Sequence, residues 1–342
     1  MQQRGSTIRD IARKARVSPS TVSRALKGSD TISLETRRKI KKIAQDLSYV
    51  PNRAAQLLIS RKRPSHRDPA FLSIVYESGI VLNDNYFSTL IKGMVDEAAR
   101  DGFATAIFSL DNTYDAILNL AKPLRDMFTA GLILVGNIEE RRIPLLLKHC
   151  PNIVIVDKPS RLVTSVINDN ERGSHEAVSC LVKMGARRIA LIHGTAHHYF
   201  TLPMQAGYRR ALADAGIPFD PSLMVEGQFH IDSGYAGMKK LLRHRPIPDA
   251  VFSNDEMAVG AMRALKEEGY AIPADVMVFG FDNIAISSIV QPSLSTVKVE
   301  YEFMSRTAVR KAIENSAKGK IVPVNITIPV ELVIRESTRR GP

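Results

Sequence analysis

The sequence predicts a small all-α head joined to a larger α/β body of two doubly wound parallel sheets. Three observations carry that prediction. The chain has 342 residues, long enough for two or three domains and a sizeable core. Its net charge of +12 is confined to one end: residues 1–67 hold 17 Lys and Arg against 4 Asp and Glu, and the remainder holds 30 against 31. The apolar pattern also changes, from helical spacing in the head to short apolar runs alternating with amphipathic helices in the body. A basic end on a neutral body reads as a polyanion-binding head. A merely solvated basic tail fits less well, because residues 7–48 are patterned for packing.

In the head, Ser6 and Thr7 precede IRDIARKA, with Asp10 in its first turn, so a capped helix is expected. Its apolar side is Ile8, Ile11, Ala12 and Ala15. After the turn RV, Ser18 is placed to cap a second helix and Pro19 to occupy its first position, where no N–H is needed. At about 100° per residue, Val22, Ala25 and Leu26 gather on one side. Ser20, Arg24 and Lys27 point the other way, with Thr21 and Ser23 on the flanks. GSDTIS reads as a loop. Ser33 caps a third helix over about 34–48, with Ile40, Ile43, Ala44 and Leu47 inward. Three short helices with a tight turn between the first two form a helix-turn-helix pattern. Its second helix would present Pro19, Ser20 and Arg24 to a major groove, where Arg pairs with guanine O6 and N7. A plain helical bundle is the alternative, and the charge asymmetry weighs against it.

The stretch YVPNRAAQLLISRKR follows. Pro51 breaks the chain, Asn52 can cap, and RAAQLL makes one or two helical turns, too few to be stable alone. Leu57 and Leu58 beside RKR suit an apolar wedge between base steps. A linker helix with a buried leucine fits the spacing equally well.

In the body, strands are expected at 71–76, 104–109, 131–136, 153–157, 188–194, 249–254 and 276–282. Helices are expected at about 86–100, 114–127, 171–184, 204–215, 232–243, 256–268 and 300–316. Continuous apolar strands separated by helices imply parallel, doubly wound sheets. Ligands in such folds bind at the carboxyl ends of strands. Three strand ends carry polar pairs or single acids there: Asp157, Asn254 with Asp255, and Asp282 with Asn283. They suggest one cleft, or they cap the following helices, which Asp and Asn also do well.

Other signals narrow the function. The two cysteines, Cys150 and Cys180, form no disulfide or zinc pattern and suit a reducing compartment. Residues 1–20 contain no apolar run, so no signal peptide is expected. No run of about 18 apolar residues exists, so no membrane span is expected, and a cytoplasmic location follows as an expectation. His193, His197 and His198 in HGTAHH make only a weak metal signal and better suit a pocket wall. No G-x-S-x-G, P-loop or G-x-G-x-x-G run occurs, so neither a cofactor nor an enzyme is expected. A small-molecule binding protein without DNA function is the alternative, and the basic head argues against it.

TIRDIARKARVSPSTVSRALKGSDTISLETRRKIKKIAQDLSYVPNRAAQLL, together with the terminal PVELVIRESTRR, resembles the LacI (lactose repressor) family of bacterial regulators over essentially the whole chain. The resemblance implies a repressor that reads a palindromic operator in double-stranded DNA as a homodimer under control of a small-molecule effector. It puts Ser18, Pro19, Ser20, Thr21, Ser23 and Arg24 at recognition-helix contacts, and Thr7, Ser33, Thr36, Tyr49 and Asn52 at phosphates. Ala55 and Gln56 fall in the minor groove, with Leu58 as the intercalating lever. The domains implied are a head at 1–50, a hinge helix and linker at 51–69, and a body at 70–342 similar to periplasmic sugar-binding proteins. One lobe would hold about 70–167 plus 297–322, the other about 168–296 plus 323–342. Asp157, Asn254 and Asp282 fall at effector contacts, with Phe87 and Tyr301 as walls for a ring.

Two departures from the family stand out. Met204 occupies the place of a usual effector-binding arginine, and the loop ESGIVLNDNYF is long. Acceptors beside aromatic walls favour a neutral polyhydroxy ligand, a sugar or sugar derivative. Met204 argues against a strongly anionic one, because a buried anion needs a compensating charge. Arg161 or the three histidines are the candidate substitutes.

Overall fold

The computed structural model describes residues 8–26, 31–47, 71–78, 85–111, 113–126, 129–317 and 321–339. The expectations for Thr7, Tyr49, Asn52, Ala55, Gln56 and Leu58, and for the hinge helix, lie outside these residues. The chain divides into two units, 1–65 and 66–342.

In the first unit, α1 (Ile8–Ala15), α2 (Pro19–Leu26) and α3 (Leu34–Asp46) close around Ile11, Ala12, Ala15, Val22, Ala25, Ile40 and Ala44. The helix starts follow local chemistry. The Ser18 hydroxyl accepts the Thr21 N–H (3.1 Å) and the Ser33 hydroxyl accepts that of Thr36 (3.3 Å), the N-cap arrangement. Helix α1 ends on Arg16 in the left-handed region (φ 57°), and the Val17 N–H reaches back to the Ala12 carbonyl (3.1 Å). Glycine is the residue favoured at that position.

The second unit begins with β1 (Phe71–Glu77), α4 (Asn85–Arg100), β2 (Ala104–Leu110), α5 (Tyr114–Asp126), β3 (Thr129–Val135), α6 (Ile143–Leu147), β4 (Ile153–Val156) and β5 (Thr164–Asn168). It continues through α7 (Asn170–Lys183), β6 (Ile189–His193), α8 (Thr201–Asp214), β7 (Met224–Glu226), α9 (Ile231–Leu241), β8 (Ala250–Phe252), α10 (Asp255–Glu267) and β9 (Met277–Asp282). It closes with α11 (Ile286–Ile289), β10 (Ser295–Lys298), α12 (Tyr301–Ser316), β11 (Asn325–Ile328) and β12 (Glu331–Val333). The first sheet runs β11-β5-β4-β3-β1-β2, with every neighbouring pair parallel. The second runs β12-β10-β9-β8-β6-β7, parallel except where β12 meets β10. Each sheet is buried on both faces by apolar clusters, which is why its central strands read as continuous apolar runs. Parallel pairing brings all carboxyl ends of a sheet to one edge, and that edge carries the site.

Five strands escape the sequence reading: β5, β7, β10, β11 and β12. They are three to five residues long and lie at or next to sheet edges, and TSVIN, STVK and NITI mix polar with apolar residues. None makes the unbroken apolar run of β1 or β3. One consequence is a correction to the lobe boundaries. Residues 325–328 pair with β5 in the first sheet, not in the second lobe, so the last crossing lies between β11 and β12. The other crossings follow β5 and β10. Among the described residues, no helix is long and apolar enough to cross a membrane.

Candidate functional site

Two surfaces concern function, one on each unit. On the head, Ser18, Pro19, Ser20 and Arg24 are exposed, while Thr21 and Ser23 are half-buried beside them. The Ser18 hydroxyl also meets those of Ser20 (2.7 Å) and Thr21 (2.8 Å), so the start of α2 presents an ordered row of hydroxyls. Arg24 stands one turn further along. Ser33 is exposed at the start of α3, and its hydroxyl donates to Thr36 (2.9 Å). The polar face is therefore formed by residues close in sequence, held by capping bonds.

In the second unit, a cavity of about 530 Å³ lies between the two lobes, within the range of small-molecule sites. Asp157 sits at the end of β4 with φ 68°, and Asp282 at the end of β9 with φ 107°. Both line the cavity, as do Phe87 and Asn254. Asn254 serves in both ways the sequence allowed: its oxygen caps α10 by accepting the Met257 N–H (3.2 Å), and its side chain lines the cavity. Its neighbour Asp255 turns inward instead, accepting from Thr296 Oγ1 (2.5 Å) and the Ile284 N–H (2.9 Å). Burial pushes the Asp255 carboxyl up to about 8. Asn283 is likewise structural, its oxygen accepting from the Arg335 guanidinium (2.7 Å).

Tyr86 organises the first-lobe wall. Its hydroxyl donates to Asp157 Oδ1 (2.8 Å) and accepts from Asn168 Nδ2 (3.2 Å). Burial, and then the Asp157 charge, hold that hydroxyl well above its ordinary range, so it remains a donor. Its ring stands edge-on to Phe87 (5.1 Å) and Tyr301 (5.4 Å). On the opposite wall, Phe229 adopts φ 63° and lays its ring over Gly194, where a Cβ would lie 1.7 Å from it. The His198 ring packs on Phe229 at 4.6 Å. Burial, with the Lys158 charge, lowers the His198 pKa to about 4, so it is a neutral imidazole. Among the described residues, hydrogen bonds that cross between lobes include Asn137 Nδ2 to the His197 carbonyl (2.9 Å) and the Tyr301 hydroxyl to the Asp282 carbonyl (2.9 Å).

Several expected residues are elsewhere. Met204 is fully buried in the second-lobe core with Tyr208, Phe252 and Phe281 and does not line the cavity. Its place on α8 faces the sheet, where an apolar side chain packs. Tyr301 is not a wall of the cavity; it braces the Asp282 backbone. Arg161 is exposed and its backbone N–H bonds to Glu140 (3.1 Å). His193 is buried with Nδ1 on the Gly194 carbonyl (2.7 Å). Neither lines the cavity, whereas His197 and His198 do. The sequence reading missed Glu77, Tyr86, Asn137, Asn170, Thr195 and Phe200, and also Gln228, Phe229, His230, Glu256 and Ile284. Glu77, Asn137 and Thr195 lie at or just beyond ends of strands that had been recognised, so the strand-end rule reaches them. Asn170 and Gln228 follow β5 and β7, which had not been recognised.

The sequence pattern of lacI-family bacterial regulatory proteins matches residues 7–52, and that of the periplasmic binding protein-like domain matches 178–338. A probable HTH-type transcriptional repressor, ExuR of Bacillus subtilis (strain 168), is 33% identical over 98% of both chains. The chain belongs to the lacI family. As a lacI-family protein it is a ligand-responsive DNA-binding transcriptional regulator and not an enzyme. Solved relatives repeat the architecture. The Lac repressor dimer bound to operator and an anti-inducer matches with 27% identity and a TM-score of 0.86, over 98% of this chain and 99% of that one. A CelR–cellobiose complex matches with 27% identity and a TM-score of 0.72, over 97% and 99%.

Proposed function

We propose that this lacI-family regulator is a cytoplasmic repressor. It binds a palindromic operator as a homodimer and is controlled by a polyhydroxy, non-anionic ligand between the lobes of its body. The observation that carries the ligand class is the cavity lining: acceptors at Asp157 and Asp282 and the amide of Asn254 beside the ring of Phe87, with no Arg or Lys among the described lining residues. Hydroxyl groups donate to such acceptors and a sugar ring stacks on such a wall. A carboxylate or phosphate would have to be buried among like charges. The operator-bound and cellobiose-bound relatives support the same reading. On the head, Ser20 and Arg24 read bases, and Ser33 and Thr36 hold phosphates.

The test has two parts. Selection of DNA fragments by the full chain should return an inverted repeat. Thermal unfolding over a panel of neutral sugars, sugar phosphates and sugar acids should return a stabilising neutral ligand, because binding to the native state raises Tm. Stabilisation only by phosphorylated or acidic ligands contradicts the ligand class. Failure to select any DNA contradicts the operator reading.

A further inference from the structure

Seven buried side-chain nitrogen and oxygen atoms find no hydrogen-bond partner among the described residues. Six belong to Arg37, Ser73, Asn152, Thr164, Asn168 and Asn315, none of which lines the cavity between the lobes. The seventh is Nδ2 of Asn170, which does line it, at 3% exposure. A buried N–H without an acceptor destabilises the fold that holds it. Local structure does not call for an asparagine here. Asn170 is the first residue of α7, and the cap of that helix comes from its neighbour, Asp169 Oδ1 accepting the Arg172 N–H (3.3 Å). The Asn170 carbonyl accepts from Ser174 Oγ (2.7 Å), a bond that any residue's main chain could make. Asn168, two residues earlier, differs: its Nδ2 donates to the Tyr86 hydroxyl (3.2 Å) and so serves the fold.

A second observation is its place in the chain. Strand β5 ends at Asn168 in the first lobe and α7 begins at Asn170 in the second, so this crossing is the single residue Asp169. The Asp169 N–H donates to the Ile328 carbonyl (2.9 Å), where β11 ends and the last crossing begins. Asn168 is bonded through the Tyr86 hydroxyl to Asp157. The Tyr86 ring stands edge-on to Tyr301, where the crossing after β10 ends. Contacts within this small group therefore touch all three crossings. Hinges are a few residues at the ends of elements, and a ligand oxygen bonded to Asn170 would be held at one.

We infer that Asn170 is a ligand-binding residue set at the crossing between the lobes, its Nδ2 donating to an oxygen of the ligand, and that it destabilises the ligand-free protein. This rests on the polyhydroxy-ligand reading above and adds a residue to it. The test separates stability from binding. Asn170→Leu and Asn170→Ala each remove the unpartnered donor from the full chain. Without ligand, at least one variant should unfold about 2 °C or more above the unmodified chain, whereas loss of a structural asparagine lowers Tm in both. Calorimetry with D-glucose, D-galactose, D-ribose, cellobiose, D-galacturonate and D-glucose 6-phosphate then reads binding. Whichever of these the unmodified chain binds should lose roughly tenfold or more in affinity in both variants. A ligand-free Tm at or below that of the unmodified chain in both variants overturns the proposal. So does a probe that either variant binds as tightly as the unmodified chain. Both outcomes leave the polyhydroxy reading standing. If only the acid or the phosphate binds and both variants weaken it, Asn170 keeps its role and the non-anionic class falls. A panel without a binder removes both.

Discussion

The head and the body build their recognition surfaces over different distances along the chain. On the head, Ser18, Ser20 and Thr21 are tied to one another within three residues, and Arg24 projects from the same helix. In the body, the Tyr86 hydroxyl joins Asp157, 71 residues away, to Asn168, 82 residues away. The head's surface follows from helical period and caps alone. The body's surface exists only once two sheets have formed and the strand ends of each have come to one edge. The electrostatics differ in sign as well: a basic head of net +13 over residues 1–67 and a cavity wall lined by acids. Each surface suits a different partner, a polyanion for the first and a hydroxyl-rich, donor-bearing ligand for the second.

The largest expected effect tests the charge half of this contrast. Operator affinity should fall by roughly a thousandfold or more between about 50 and 200 mM salt, because each neutralised phosphate releases counterions with a log–log slope near −0.9. Anisotropy titrations with a labelled operator measure the slope. A flat response would remove the head's charge from the account.

The next effect lies wholly in the body. Asp255 is fully buried and its carboxyl is raised to about 8, burial being the first cause. A carboxyl with a folded pKa above its unfolded value favours the folded state when protonated. Its contribution is complete below about 4 and is lost as pH rises towards 8. Thermal unfolding between those limits should show Tm falling with pH, and Asp255→Asn should flatten the profile. An unchanged slope in the variant would assign the pH dependence to other groups.

A smaller effect separates base reading from phosphate binding on the head. Arg24→Ala should relax base preference at one or two positions per half-site, by roughly 1–3 kcal/mol, whereas Thr36→Ala should weaken all sequences alike. Equal losses on specific and non-specific DNA would make Arg24 a phosphate ligand. The smallest effect is conformational. Arg16 holds a left-handed backbone at the end of α1, which costs about 1–2 kcal/mol for an L residue. Arg16→Gly should raise the head's unfolding free energy by about 0.5–1 kcal/mol after the entropic cost of glycine is included. A denaturant titration of the full chain followed by a probe on the head measures it.

How much was legible in the sequence follows the same divide. Pro19, Ser18 and Ser33 announce their helices by local chemistry, and the charge asymmetry marks the head without any structure. In the body, β1, β3 and β4 are unbroken apolar runs and could be read directly. The ends of β4 and β9, and the start of α10, gave Asp157, Asp282 and Asn254, which share the cavity. The misses have physical causes. The strands β5 and β7 are short and mixed in polarity, so Asn170 and Gln228 had no visible strand end to follow. Tyr86 precedes Phe87 on α4, and nothing local says that its hydroxyl bridges Asp157 and Asn168. Met204 marks the converse case: the family resemblance implied a ligand contact at that position, but α8 turns that side chain into the core.

The central claim is that residues from distant segments form one ligand site that governs DNA binding by the head. The direct test is operator affinity of the full chain and of Asp282→Ala, each with and without a ligand that raises the Tm of the unmodified protein. The unmodified chain should change its operator affinity by roughly tenfold or more on ligand addition, a coupling of about 1.4 kcal/mol or greater. Asp282→Ala should bind the operator without ligand as the unmodified chain does and lose the response. A variant that keeps the full ligand response would contradict the claim, because the cavity between the lobes would then not be the controlling site.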